Sequence, residues 1–176
     1  MIHFTSDTHF GHANIIRYCN RPFSSVREMN ECIIDKWNTK VSKDDSVYHI
    51  GDFGFGDPQS LKSILRQLNG KIYLIRGNHD KFQIVRDLGF QQVWPIREIK
   101  FNDQTIILCH YAMRVWNKSH RGAWQLYGHS HGTLPEDQNS LSFDVGVDAN
   151  NFEPLSFDEV KIRMESKNFK SIDHHS

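Results

Sequence analysis

Residues 71–80 read Lys71-Ile72-Tyr73-Leu74-Ile75-Arg76-Gly77-Asn78-His79-Asp80. The first six are apolar and β-branched or aromatic enough to form a strand. The last four leave that pattern at a glycine and end in an amide, an imidazole and a carboxylate. The same arrangement recurs along the chain. Residues 2–6 lead into Asp7-Thr8-His9, and residues 46–50 into Gly51-Asp52. Residues 105–109 lead into His110, and residues 124–127 into Gly128-His129-Ser130-His131-Gly132. In open α/β sheets, ligands bind at the carboxyl ends of strands. Five strand ends bearing Asp, Asn or His can therefore converge on one site.

Helical patterns fill the early intervals. Ser25-Val26-Arg27-Glu28 has the spacing of a capping box. Val26, Met29, Ile33, Trp37 and Val41 follow at helical intervals. Asp57 before Pro58 reads as an N-cap with proline at the first helical position. Leu61, Ile64, Leu65 and Leu68 then share a face, and Gly70 stands where a helix would stop. Residues 81–88 make a further short helix closed by Gly89. The second half is more β-like. Residues 96–101 and 105–109 flank an Asn102-Asp103 hairpin turn, and residues 124–127 and 142–147 read as strands. Residues 132–140 form a polar loop. A second capping box, Ser156-Phe157-Asp158-Glu159, opens a helix to about residue 166. The expected fold is α/β, a sandwich of mixed β-sheets packed together with flanking helices, in a single domain over residues 1–176.

At 176 residues, with 38 % hydrophobic and 12 % aromatic content, the chain can bury one real core and is not expected to be disordered. Lys plus Arg equals Asp plus Glu, at 21 each. No extended nucleic-acid surface is evident from that balance. A neutral protein still binds a small phosphate if metal ions carry the positive charge. Cys19, Cys32 and Cys109 are sparse and odd in number, which argues against a disulfide framework. They also lack the Cys-x-x-Cys spacing of a thiolate zinc site. No apolar run reaches the length of a membrane span. The first strand begins at Ile2 and leaves no room for a signal peptide, so a cytoplasmic location is the default expectation.

The polar residues favour metal chemistry. Asp7 with His9, and His129 with His131, stand at i and i+2, which on extended backbone sends both side chains to one side. Gly51, Gly77 and Gly128 permit sharp turns beside an ion. Imidazole, carboxylate and amide donors suit Mn, Fe, Zn, Co or Ni better than Ca or Mg. About seven donors exceed one tetrahedral zinc and match two ions roughly 3.5–4 Å apart that share a carboxylate.

The ordered series Asp-x-His, Gly-Asp, Gly-Asn-His-Asp, His, Gly-His-x-His runs from Asp7 to His131 and resembles the calcineurin-like metallophosphoesterase superfamily. The resemblance implies two divalent transition-metal ions, manganese foremost. Asp7, His9 and His131 would bind the first. Asn78, His110 and His129 would bind the second, and Asp52 would bridge both. A hydroxide held between the metals would attack phosphorus in line with the leaving oxygen. His79 would contact the phosphoryl oxygen or protonate the leaving group, with Asp80 holding its ring. The opening Asp7-Thr8-His9-Phe10-Gly11-His12 and the compact length resemble small bacterial and phage members. There is one departure. Many members read Gly-Asp-x-x-Asp in the second block, whereas here Phe55 ends Gly51-Asp52-Phe53-Gly54-Phe55. The missing Asp usually lies behind the ligands, so its loss bears on subfamily rather than on metal binding.

Outside these blocks, His12, Asn14, Arg17 and Arg21 read either as an exposed loop and helix face or, for His12 above all, as contacts to a substrate phosphate. Arg114 and Trp116 read either as a phosphate clamp and a base platform or as surface packing. His49 is expected in the core or behind the ligands, Cys109 in the core, and Arg76 pointing away from the site. His3, His120, His174 and His175 have no expected role. Asp148 lies in a segment near the site without an assigned one. The expected activity is hydrolysis of a phosphodiester or phosphomonoester, with a small nucleotide-type substrate favoured over DNA. Loops at residues 10–23, 53–57 and 112–123 would set specificity. The alternative is a catalytically inactive binding scaffold, against which His79 and all seven expected ligands stand. Apolar residues exposed in the β-rich half would suit a homodimer.

Overall fold

The computed structural model describes residues 1–172, so His174 and His175 lie outside the described residues. Along the chain run β1 (Ile2–Thr5), α1 (Ala13–Tyr18), α2 (Val26–Lys40), β2 (Ser46–His49), α3 (Pro58–Leu65), β3 (Lys71–Ile75) and α4 (Phe82–Val85). They are followed by β4 (Val93–Trp94), β5 (Ile96–Phe101), β6 (Gln104–Cys109), β7 (Trp124–Tyr127), β8 (Ser142–Asp144), β9 (Leu155–Ser156) and α5 (Phe157–Glu165). The strands form two mixed sheets, as expected. One has five strands in the order β4-β3-β2-β1-β9, and the other has four in the order β5-β6-β7-β8.

In the first sheet β1 to β4 are parallel and β9 closes the edge antiparallel to β1. The register aligns Thr5 with His49 and His49 with Leu74. The polar residues that follow these strands therefore emerge along one edge. In the second sheet β6, β7 and β8 are also parallel, and β5 pairs antiparallel with β6 through the Asn102-Asp103 turn. The two sheets meet at this same edge. Ser6 bridges Gly146 in parallel, and the Val147 N–H donates to the Ser6 carbonyl at 3.1 Å.

Strand alternation divides the apolar residues between two cores. Phe4 and Ile75 face the second sheet and pack with Ile106, Leu108, Leu126 and Phe143. Val47, Ile72 and Leu74 face α2 and α3 and pack with Met29, Ile33, Trp37 and Leu61. No helix among the described residues is long and apolar enough to cross a membrane.

Of the three N-terminal caps read from the sequence, two form as expected. Asp57 accepts the Ser60 N–H at 3.0 Å, with Pro58 at the first helical position. Ser156 and Glu159 complete a reciprocal capping box. At α2 only half of the expected box forms. Ser25 Oγ accepts the Glu28 N–H at 3.2 Å, but the Glu28 carboxylate reaches back to the Ser24 N–H at 2.7 Å. Ser24 Oγ also donates to that oxygen, which explains why Glu28 prefers it. Segments 66–68 and 86–88 continue α3 and α4 only as turns.

Candidate metal centre

Five of the seven candidate ligands stand in left-handed backbone: Asp7 (φ 55), His9 (φ 49), Asp52 (φ 57), His129 (φ 67) and His131 (φ 48). This corrects the reading of Asp7/His9 and His129/His131 as pairs on extended backbone. Their side chains do converge, but on turns that L-residues rarely adopt. Tertiary contacts hold these turns in place. The Asp7 N–H donates to Gly51 O at 2.9 Å and the His9 N–H to Asp52 O at 3.1 Å, stitching the loops after β1 and β2 together. Gly77 and Gly128 allow a close approach. A Cβ at Gly77 would lie 2.2 Å from Asp52 Oδ1, and one at Gly128 would lie 2.2 Å from Ser6 Oγ.

Six of the seven candidate ligands fall into two groups of donors. Asp7, His9 and His131 form one, and Asp52, His110 and His129 form the other. Asn78 joins the second, with Oδ1 lying 3.2 Å from His110 Nε2 and 3.1 Å from His129 Nδ1. Asp52 Oδ2 stands between the groups, 3.7 Å from His9 Nε2 and 3.4 Å from His110 Nε2. Its other oxygen accepts the His79 N–H at 3.0 Å.

Hydrogen bonds turn the free donor atoms inward. Asp7 Oδ2 accepts from Ser6 Oγ at 2.6 Å and from the His129 N–H at 2.9 Å. Asp7 Oδ1 has no partner. It lies 3.9 Å from His9 Nε2, which is likewise buried and unpaired, and 3.9 Å from His131 Nε2. The His110 Nδ1–H donates to the Ile50 carbonyl at 2.8 Å, leaving Nε2 facing Asp52. The His131 ring is fixed in the same way, with Nδ1 2.7 Å from Asp148 Oδ2.

Charge and burial work against each other here. Burial pushes the Asp7 carboxyl up to about 7 and the His9 ring down to about 2. Burial opposes ionisation of Asp52 and His110 as well. Their mutual hydrogen bond and charge outweigh it, lowering Asp52 to about 2 and raising His110 to about 9. Buried polar atoms without partners are costly. A cation would satisfy Asp7 Oδ1 and His9 Nε2 together, and the oxygen and nitrogen donor set suits a divalent transition metal. The residues present therefore fit the metal that the sequence pattern implies.

Comparison with known proteins agrees with this geometry. Residues 1–146 match the calcineurin-like phosphoesterase superfamily domain. The chain belongs to that superfamily. It is 37% identical over 166 residues to the uncharacterized protein MJ1445 of Methanocaldococcus jannaschii, covering 90% of this chain and 88% of that one. It is 34% identical over 80 residues to the Gene 66 protein of Mycobacterium phage L5, covering 44% of this chain and 38% of that protein. The protein of unknown function AQ665 from Aquifex aeolicus shares the fold with a TM-score of 0.72. It is 22% identical, and the match covers 92% of this chain and 98% of that one.

Around the centre of this phosphoesterase the remaining polar residues divide. The His79 side chain is part exposed, with Nε2 3.9 Å from Asp52 Oδ2. Asp80 is buried, and its three hydrogen bonds go to the backbone N–H groups of Asp52, Phe53 and Gly77 rather than to the His79 ring. A carboxylate among converging N–H groups is already satisfied, so Asp80 clamps two loops. His12 reaches the centre, with Nδ1 3.4 Å from His9 Nδ1 and its ring stacked on Phe55 at 4.1 Å. Asn14 and Arg17 are exposed on α1, where the Arg17 guanidinium lies over Tyr18. Arg114 is exposed and lines a different cleft, with Tyr127, Leu134 and Phe169. Trp116 is core rather than a base platform. It is buried, and its Nε1–H donates to the Ala123 carbonyl at 2.9 Å.

Arg21 also departs from the exposed-face reading. It is buried and forks onto both Asp148 oxygens at 2.8 Å while donating to the Asp7 and Thr8 carbonyls. Sequence reasoning missed this Arg21–Asp148–His131 chain. A signal was present, since an aspartate near the predicted strand of residues 142–147 is a natural partner for a ligand histidine. His49 sits behind the candidate ligands, with Nε2 2.9 Å from Thr8 Oγ1, which donates to the Phe53 carbonyl. Cys109 is half-buried rather than fully in the core.

Proposed function

We propose that this protein is a metal-dependent hydrolase of phosphodiesters or phosphomonoesters that holds two divalent ions, with a small nucleotide-type compound as the favoured substrate. The observation that carries this reading is the placement of Asp52 Oδ2 between two donor groups, within 3.7 Å of His9 Nε2 and 3.4 Å of His110 Nε2. One carboxylate oxygen facing both groups is the arrangement that a shared, bridging ligand requires. Asp7, His9 and His131 would hold one ion, and Asn78, His110 and His129 the other. Manganese is the favoured ion, with iron, zinc, nickel or cobalt compatible with the same donors. Bound ions would supply Lewis-acid charge for the phosphoryl oxygens and acidify water enough to act near neutral pH.

The chain's own residues perform the remaining work. Arg21 and Asp148 hold the His131 ring, and Asp80 fixes the backbone that carries Asp52. His79 is part exposed beside Asp52 and Phe55, and it would hand a proton to the departing ester oxygen. In balance, water adds its oxygen to phosphorus, the ester P–O bond breaks, and the leaving oxygen takes up a proton. His12 lies where it can meet a phosphoryl oxygen of the substrate. Asn14 and Arg17 are exposed on α1 and Arg114 lines a different cleft, so a contact from any of them would require a larger ester.

The experiment is to strip the protein with a chelator, restore Mn²⁺, and assay a generic aryl phosphodiester against the matching monoester. Turnover should require metal and fall about 10²–10⁴-fold in His79→Ala. Two bound ions without turnover of either ester would favour a non-catalytic scaffold. Failure to bind metal would end the proposal.

A further inference from the structure

Phe55 stands where many superfamily members carry the second Asp of the Gly-Asp-x-x-Asp block. It is packed against the imidazoles of the centre. Its ring centroid lies 4.1 Å from that of His12, 4.8 Å from His79 and 5.6 Å from His9. Phe55 also lines a cleft of about 230 Å³ between the loop after β2 and the α4 segment. Phe53, Phe55, Leu61, Ile84 and Val85 line it together with Asn78 and His79. Asp80 also borders it, but its carboxylate is occupied by three backbone N–H groups. Lys81, the other charged residue there, is exposed.

We infer that this cleft receives the leaving group of the substrate ester, and that the group is a flat, uncharged ring. The inference rests on the hydrolase reading above and adds the chemistry of the group that departs. Three physical points carry it. The cleft is continuous with His79, the residue placed to protonate the leaving oxygen, so a group bonded to that oxygen enters the cleft when phosphorus sits over Asp52. Its walls are largely aromatic and aliphatic and reward burial of apolar surface, and the lysine that lines it, Lys81, is exposed, so an ion pair there would contribute little. Its size suits one ring, since an apolar cavity on the order of 150 Å³ holds benzene. An aspartate at position 55 would place a carboxylate against the same wall. The Phe55 substitution thus converts a polar wall into a stacking surface.

The test uses Mn²⁺-loaded protein and two non-hydrolysable probes, phenylphosphonate and methylphosphonate, titrated by calorimetry. Phenylphosphonate should bind about tenfold or more tightly than methylphosphonate, because only its ring reaches the apolar wall. Ile84→Trp, which fills the cleft from α4, should abolish that preference, and Phe55→Ala, on the opposite wall, should weaken it. Ile84→Val should retain it. Circular dichroism and metal stoichiometry establish that each variant is folded. Equal affinity for the two probes in the wild type, or a preference that survives in folded Ile84→Trp, would overturn the inference and leave the hydrolase reading intact. If neither phosphonate binds, turnover of the two aryl esters decides the hydrolase reading, and phenol observed by saturation-transfer NMR decides the cleft. A signal lost in Ile84→Trp supports an aromatic site there, and no signal overturns it.

Discussion

The His131 ring is held through Nδ1 against Asp148, and Asp148 is forked by the buried Arg21 guanidinium. An imidazole ligand fixed by a carboxylate keeps its other nitrogen aimed and basic, and loss of such a partner typically weakens metal binding about 10–100-fold. Asp148→Asn should therefore lower Mn²⁺ affinity by that factor while leaving the far-UV circular dichroism unchanged. Unaltered affinity in a calorimetric titration would show that the ring is held by packing alone. His49 offers a different residue-scale test. Burial lowers its ring from 6.5 to about 3, so the folded state keeps it neutral. The unfolded chain takes up a proton below about pH 6.5, which means that this contribution is present above that pH and is lost as pH falls toward 3. His49→Gln removes the titration. Urea unfolding between pH 6 and 4 should then show a pH slope shallower by up to ~1.4 kcal/mol per pH unit than in the wild type. Parallel slopes would show that His49 is already accessible to protons in the folded state.

The elements show how far local signals reach. Ser156 accepts the Glu159 N–H, and Glu159 returns to the Ser156 N–H at 2.7 Å, so α5 starts where its sequence says. Ser156→Ala should cost about 1 kcal/mol in thermal or urea unfolding. A change near zero would mean that burial of Phe157, Val160 and Met164 alone positions the helix. The equivalent Ser25-x-x-Glu28 pattern forms only its first half, because Ser24 competes for the same carboxylate through both its backbone N–H and its hydroxyl. The strands before the polar blocks were legible because β-branched runs ended at glycine or at a ligand. The edge strands β4 and β9 have two residues each and no such run. Pairing with β3 and β1 defines them, and a pattern of two residues carries no period.

On the scale of the molecule, the centre exists because the parallel strands of two mixed sheets deliver their ends to one seam. Ser6 bridges Gly146 across that seam, and Gly128 lies against Ser6 and Asp7. A Cβ there would stand 2.3 Å from Asp7 Oδ2, the oxygen that accepts the His129 N–H. Gly128→Ala should force the sheets apart locally, destabilise the fold by about 1–3 kcal/mol, and reduce bound metal measured by elemental analysis. Full metal content in the variant would show that the seam can relax without moving Asp7.

The sequence by itself determined which strands carry polar ends, the order of the candidate-ligand blocks and the chemical type of the donors. Each of these is written in contiguous residues and needs only local propensity to be read. Tertiary structure decided the rest. Arg21 and Asp148 meet across 127 positions of chain, a separation over which no local pattern couples two residues. The left-handed turns at Asp7, His9, Asp52 and His129 are strained alone and persist because hydrogen bonds from neighbouring loops hold their N–H groups. Asp80 turned from the His79 ring to three backbone N–H groups because those loops brought the donors to it. The cleft beside Phe55 likewise appears only when the loop after β2 and the α4 segment are brought together, since its walls come from both.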